Sequence, residues 1–366
     1  MSDPEAYRRA GVDYATLDLA KRRALEAAAA TSGAPKRLGA AFLDASRGEP
    51  AAVVTLGALR LGFVLECLGT KSMIARAVED ALGEDHWHAI GYDTVAAAVN
   101  DCCCVGALPF VVNAYFATGA ASFYEGSRHD SLVAGFAAAC TDAGAAWGGG
   151  ESPTLAGLVA PTQIDLAASA VGLVPEGVAP LLGEELRAGD EIVLVASTGL
   201  HANGASLVRE LATSLPAGYA TRLASGVSLG AAVLAPSALY VGLVEDCLAA
   251  RLPLHYVSHL TGHGWRKLMR ANRAFTYRIE ALPEVPEVLA FIAEAASLDA
   301  QSAYGTLNMG AGLACFVGDG AAGEVVAAAA ARGFSALIAG RVEEGERSVQ
   351  IDPLGVSFAS NELELR

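Results

Sequence analysis

The sequence predicts an α/β protein of two domains. Short apolar runs rich in β-branched residues alternate with segments of helical apolar spacing from about residue 50 onward. Glycine-punctuated polar turns join them. At 366 residues and 53% apolar composition, the chain is long for one core and comfortable for two. The mixed-charge stretch Pro175–Arg187 reads as a linker, so the domains are placed at 1–178 and 179–366.

In order, a polar arm over residues 1–30 ends in a moderately amphipathic helix, and 31–50 is loop-like. Ala51–Leu68 reads as two strands and a turn, and Gly69–Thr70–Lys71 leads into a helix over Ser72–Leu82. A helix runs between Asp93 and the pair Asn100–Asp101. Phe110–Ala117 is a strand, Leu132–Ala143 a helix, Ala145–Glu151 a strand ending in three glycines and a carboxylate, and Leu166–Val174 a strand. In the second half, Ile192–Ala196 is a buried strand and Ala205–Leu215 a helix. Val241–Ala250 is helical, and His255–Trp265 forms a glycine-rich turn before a helix at Arg266–Arg270. Leu307–Val317 is a strand carrying Asn308, Ala321–Arg332 a helix, and Ser335–Val342 and Val349–Ile351 are closing strands.

The turn from Ser197 to Gly204 between strand and helix has the form of an anion cradle. Glycines allow close backbone approach, and the first N–H groups of a helix are free donors. Thr198, His201 and Asn203 add side-chain hydrogen-bonding groups. An ordinary strand–helix connection with a capping Ser or Asn fits the same residues equally well. Asp93, Asn100 and Asp101 lie about two helical turns apart and can approach one face, where oxygen ligands would suit Mg²⁺. An N-cap Asp and a solvated C-terminal pair explain these residues better when they are taken alone. His259 and His263 are four apart, but glycines interrupt the helix that a zinc pair would need.

The formal charge of −15 argues against a nucleic-acid partner. The seven cysteines, three of them adjacent at Cys102–Cys104, suit neither a disulfide framework nor a zinc knuckle. No apolar run reaches membrane length, and MSDPEAYRRAG lacks a signal-peptide core, so cytoplasmic residence is expected.

Ten motifs occur in an order and spacing that resemble the aminoimidazole ribonucleotide synthetase (PurM) family of phosphoribosylformylglycinamidine cyclo-ligases. They are AGVDY, GTK, GYDTVAAAVND, AYFATG and GGE, then IDLAASAVG, STGLHANGASLVR, LAPSALYV, HLTGHG and TLNMGAG. The resemblance implies a PurM-like two-domain fold whose N-terminal, nucleotide-binding domain contributes to a dimer-wide β-barrel, with a C-terminal α/β sandwich domain. It implies a homodimer that uses ATP and Mg²⁺ to phosphorylate an amide oxygen of a ribonucleotide, after which a nitrogen of the same molecule displaces phosphate and closes an imidazole ring.

Carried over residue by residue, the resemblance makes Glu66, Asp93 and Asp101 metal ligands. Gly69, Thr70, Lys71, Asn100, Asp101, Gly149 and Gly150 become nucleotide contacts. Glu151, Ser197, Thr198, His201, Thr261 and Gly262 become substrate contacts, and His201, Asn203 and Lys71 catalytic groups. The chain departs from the family at ligand-facing turns: LECLGTK for TDGVGTK, GGESPTLAG for GGETAEMPG, HLTGHG for HITGGG, and no recognisable glycine loop in KRLGAAFLDASRGEP. These departures keep two alternatives open, an ATP-dependent enzyme of the wider superfamily acting on another small substrate and a non-catalytic paralogue.

Overall fold

The computed structural model describes residues 14–318 and 320–363; the polar arm of residues 1–13, with most of AGVDY, lies outside them. After helix α1 (Tyr14–Ala29) come six strands: β1 (Ala40–Phe42), β2 (Ala52–Leu56), β3 (Leu59–Cys67), β4 (Leu108–Thr118), β5 (Ala146–Glu151) and β6 (Ile164–Leu173). They form one sheet in the order β1-β2-β3-β6-β4-β5, antiparallel except where β5 runs parallel to β4. Helices α2 (Lys71–Leu82), α3 (Trp87–Cys104) and α4 (Ser127–Asp142) belong to this half, and α3 packs on the sheet with α4 against it.

Helix α3 is apolar nearly all round, and Trp87, Ile90, Val95, Val99 and Cys102–Cys104 are fully buried. Such a helix belongs in a core, and here it lies between the sheet and α4. Two glycines set the α3–α4 distance. A Cβ on Gly91 would lie 2.0 Å from the Leu132 carbonyl oxygen, and one on Gly135 would lie 1.8 Å from that of His88. The helix starts six residues before Asp93, and the Trp87 N–H bonds Asp85 Oδ1 at 2.8 Å. Asp93 is therefore not an N-cap, and Asn100 and Asp101 are not a solvated end; all three are interior and buried.

The second half is a seven-stranded sheet of β7 (Glu191–Ala196), β8 (Leu254–His259), β9 (Phe275–Ile279), β10 (Ala311–Val317), β11 (Ala336–Glu344), β12 (Ser348–Ile351) and β13 (Val356–Ala359). Its order is β13-β12-β9-β11-β7-β10-β8, parallel only between β12 and β9. Strands β7 and β10 are buried along nearly their whole length, as the apolar run Ile192–Val195 requires of a central strand. The accompanying helices are α5 (Ala205–Ser214), α6 (Leu229–Val233), α7 (Val241–Ala249), α8 (Glu287–Ala295), α9 (Ala300–Tyr304) and α10 (Ala322–Ala331).

Two expected elements differ. The strand expected from Leu307 begins only at Ala311, because Met309 (φ 42°) and Gly310 (φ 96°) turn the chain and Asn308 anchors that turn. The helix expected at Arg266–Arg270 is a 3₁₀ turn, Gly264–Met269.

Gly135→Ala should destabilise the fold by about 1–3 kcal/mol, because two backbones would have to separate. Gly33→Ala, where an added Cβ meets nothing within 4 Å, should be near neutral. Urea unfolding of the two variants beside the parent chain measures the contrast; equal midpoints would show that the α3–α4 distance is not limiting.

Candidate active site

The two sheets meet along the polar residues of α3. Residues 93 and 100 are seven apart, within about 20° on a helical wheel, whereas 101 is turned by about 80°. The contacts follow that geometry. Asp93 accepts from the Ser237 N–H at 2.7 Å, and Asn100 accepts from the Tyr240 N–H at 2.8 Å and donates to the Ala238 carbonyl at 2.9 Å. Both thus hold the segment before α7. Asp101 instead meets His259 at the end of β8, with Oδ1 2.7 Å from Nδ1.

A cavity of about 380 Å³ opens beside this seam, lined among others by Glu66, Asn100, Asp101, His201, His259 and Thr261. The first turns of α2 (Gly69, Thr70) and α5 (Gly204, Ala205, Ser206) also line it. Neither helix has a side chain capping its N-terminus. Thr70 Oγ1 and Ser206 Oγ lie 3.2 Å apart, so the two N-termini are neighbours. Two sets of N–H donors beside one cavity are an arrangement suited to an anion.

His201 enters this cavity on a backbone in the left-handed region (φ 59°). Its Nε2 accepts from the Thr198 N–H at 3.1 Å and the Ala238 N–H at 3.4 Å. The ring proton is therefore assigned to Nδ1, which has no partner. Burial, then the positive charges of His259 and Lys71, push the His201 pKa well below the usual histidine value. The imidazole is neutral at pH 7 and offers a donor N–H rather than a charge.

On the opposite wall, Glu66 and Asp101 both line the cavity. Burial, then the Asp101 charge, pushes the Glu66 pKa up to about 7. Burial also acts to raise Asp101, but the His259 hydrogen bond and the charges of His259, Lys267 and Arg270 outweigh it and hold its pKa below the usual carboxylate value. Lys267, buried behind this wall, donates from Nζ to Thr261 Oγ1 at 2.9 Å.

Several expected site residues lie elsewhere. Lys71 is fully buried and paired with Asp93, so it does not line the cavity; this corrects its assignment to phosphate and to catalysis. Asp93 has both carboxylate oxygens engaged, by Lys71 and the Ser237 N–H, and does not line the cavity that Glu66 and Asp101 border, so the expected set of three does not meet there. Among the described residues, no group of three or more His, Cys, Asp or Glu side chains is arranged to hold a metal ion without a nucleotide's phosphates. Asn100 has both ends of its amide engaged by backbone, although its residue borders the cavity. Ser197 Oγ donates to Asn308 Oδ1 at 2.8 Å and Thr198 Oγ1 to the Pro236 carbonyl at 2.7 Å, and neither residue lines the cavity. Gly149, Gly150 and Glu151 lie on edge strand β5, outside the cavity lining, as does Gly262. Gly69, Thr70, Asp101, His201, Asn203, Thr261 and Glu66 do line it. The sequence pattern does not mark His259, Lys267, Ser206 or Asn308 as members of the site or its support, which the folded chain makes them. His259 carried a signal of its own, an imidazole at a strand end before a glycine turn.

Residues 48–174 match the AIR synthase related protein N-terminal domain, and residues 187–352 match the C-terminal domain of the same family. A phosphoribosylformylglycinamidine cyclo-ligase of Alkaliphilus oremlandii is 33% identical over 288 residues, 77% of this chain and 81% of that protein. The chain belongs to the AIR synthase related family. Another relative, a phosphoribosylformylglycinamidine cyclo-ligase of Oceanobacillus iheyensis, is 30% identical over 332 residues, 86% of this chain and 90% of its own length. The family fold recurs in hydrogenase maturation protein HypE in complex with ATP (TM-score 0.58, 19% identity, 83% of this chain and 85% of that one). It recurs too in a ThiL protein complexed with AMPPCP and TMP (TM-score 0.55, 17% identity, 83% of this chain and 87% of that one). The family is one of enzymes.

Because the Glu66 pKa rises from 4.5 to about 7 on folding, the folded state holds this proton where the unfolded state has lost it. The contribution of Glu66 to stability therefore falls as pH climbs through the window from about 4.5 to 7. Glu66→Gln removes that loss. Its melting temperature relative to the parent should be higher at pH 8 than at pH 5, by the equivalent of roughly 2–3 kcal/mol. The same difference at both pH values would show that Glu66 titrates as a solvated carboxyl.

Proposed function

We propose that the chain is an ATP-dependent cyclo-ligase that converts formylglycinamidine ribonucleotide to aminoimidazole ribonucleotide. The observation that carries this reading is the pair of uncapped helix N-termini bordering one cavity with a neutral imidazole. Phosphoryl transfer requires positioning and electrostatic stabilisation more than a covalent protein group. The backbone N–H groups of the first turns of α2 and α5 hold the polyphosphate. His201 Nδ1–H donates to an oxygen on the transferred group or the substrate amide. ATP phosphorylates the amide oxygen, a nitrogen of the same molecule attacks that carbon, the C–O bond breaks and phosphate leaves as the ring closes. Support for the substrate comes from the two cyclo-ligases at 30–33% identity. ATP use is supported by the ATP complex of a fold neighbour. A second reading, an ATP-dependent enzyme on a different small substrate, is favoured by His263, a buried imidazole in the HLTGHG turn next to the cavity residue Thr261.

The first sheet supports a homodimer. Phe63 and Leu65 on β3, Phe110 on β4 and Leu173 on β6 are exposed at 41%, 71%, 47% and 38%. A second copy packed on this sheet would bury them and close the strands into the barrel. No described helix is long and apolar enough to cross a membrane.

Formylglycinamidine ribonucleotide, ATP and Mg²⁺ incubated with the protein should yield ADP, phosphate and aminoimidazole ribonucleotide. ATP binding without any of these products would move the assignment to the second reading. His201→Asn should lower turnover by about tenfold or more with a smaller change in ATP affinity, as removal of a transition-state donor does. Leu65→Glu should convert a dimer to monomer in light scattering; an unchanged mass would place any interface elsewhere.

A further inference from the structure

Beyond the cavity of the candidate site, a second cavity of about 550 Å³ lies between α2 and α5. Ser206 lines both spaces, and its hydroxyl stands 3.2 Å from that of Thr70 at the start of α2. From there the second cavity follows one face of α5, because Ser206, Arg209 and Thr213 are three and four residues apart. Met73 lines it from α2, Tyr219 from the 3₁₀ turn after α5, and Gln163 from the turn before β6. Two groups of this lining lack partners. Arg209, half-buried at the end of STGLHANGASLVR, makes no hydrogen bond or ion pair among the described residues. Its neighbour Glu210 also lines the cavity but does not pair with it. One end of the Gln163 side-chain amide, Oε1, is buried with no hydrogen-bond partner among the described residues. Polar groups left in this way cost free energy that a ligand recovers.

We propose that this second cavity is a subsite for a ribose 5-phosphate group, with the phosphate on Arg209 and a ribose hydroxyl on the Gln163 amide. The inference rests on the reading above that the substrate is a ribonucleotide, and adds where its sugar phosphate is held. A guanidinium presents a planar fork of donors that matches phosphate. A hydroxyl both donates and accepts, so it satisfies the Gln163 amide whichever of its two ends points inward. Met73 and the Tyr219 ring add apolar surface for the sugar. Arg209 lies about 4.5 Å further along the α5 axis than Ser206, less than one turn, so a single nucleotide spans both spaces. Its reacting end then passes Ser206 to reach the helix N-termini and His201. The phosphate on Arg209 is an anchor, distinct from the transferred one. Binding energy gained there, away from the chemistry, orients the reacting amide.

The test uses ribose 5-phosphate alone, titrated by NMR into the full-length protein without ATP or Mg²⁺. The parent chain should bind it saturably at about 1 mM, as the binding energy available to so small a ligand allows. Arg209→Met should weaken binding about tenfold or more, as loss of a charge-assisted pair does. Gln163→Leu should weaken ribose 5-phosphate about threefold or more and leave inorganic phosphate unchanged, which lowers the preference for the sugar phosphate. No saturable binding below about 20 mM in the parent would overturn the proposal. So would a folded Arg209→Met that binds like the parent, since the anion would then sit at the helix N-termini. If Arg209→Met fails to fold, judged by circular dichroism, Arg209→Lys decides in its place. Binding about threefold or more weaker supports the guanidinium contact, and unchanged binding overturns it. Ribose 5-phosphate has no amidine, so these outcomes do not depend on ring closure. Failure of the cyclo-ligase assay would leave the subsite standing. An active cyclo-ligase whose KM for the ribonucleotide is indifferent to Arg209→Met would sink the subsite alone.

Discussion

The structure depends on one constraint: three polar side chains buried in a largely apolar helix must find partners outside it. Asp93, Asn100 and Asp101 sit on α3, which packs on the first sheet, yet most of their partners come from the second half of the chain. An unsatisfied carboxylate or amide at these depths would cost several kcal/mol. The second sheet therefore has a preferred position on the first, set by the Ser237–Tyr240 backbone and by His259. Lys71 completes the arrangement by neutralising Asp93. Removing one member of such a buried pair is far more damaging than replacing both. The seam thus specifies one docking geometry more than it adds stability.

Docking in that geometry has an electrostatic consequence. It brings the positive ends of α2 and α5 together, a like-signed contact that an anion between them relieves. The chain as a whole carries −15, which repels a polyphosphate at long range. At the distance of the Debye length that repulsion is largely screened, while N–H donors act at contact. An anion at these helix ends would therefore be held locally, by oriented backbone rather than by a basic surface. A neutral His201 fits the same logic, since a donor without charge leaves the carboxyl wall undisturbed.

Much of this was legible in the sequence where local rules decide. The glycine turns at 69–70 and 199–204 marked strand–turn–helix units, and both border the cavity or hold its residues. Helical spacing indicated that Asp93 and Asn100 share a face. Spacing does not say what that face meets. Lys71, directly after a glycine turn, has the local pattern of a phosphate ligand; only the tertiary position of Asp93, 22 residues on, turns its ammonium inward. The His259–Asp101 contact spans 158 residues, and no periodicity encodes it. Strand β9 is hard to read from the sequence because its five residues alternate between charged flanks, Arg270–Arg273 and Glu280, which masks a short apolar pattern.

The departures from the family pattern separate scaffold from chemistry. Gly150 is a glycine because a Cβ there would lie 2.1 Å from the Ala114 carbonyl oxygen, a demand of the β4–β5 pairing in this chain whether or not a ligand is bound. Leu68, where the family turn has a Val, is buried in the core and its N–H bonds the Leu166 carbonyl at 2.9 Å, so the turn keeps its path. His263 takes a left-handed backbone (φ 72°), which histidine tolerates better than a branched residue would. Each change is absorbed locally, and the framework is untouched. Yet Leu68 and Glu66 line the cavity and His263 stands two residues from Thr261. Changes that leave packing intact while altering what a cavity offers are those expected where the substrate, rather than the fold, has diverged.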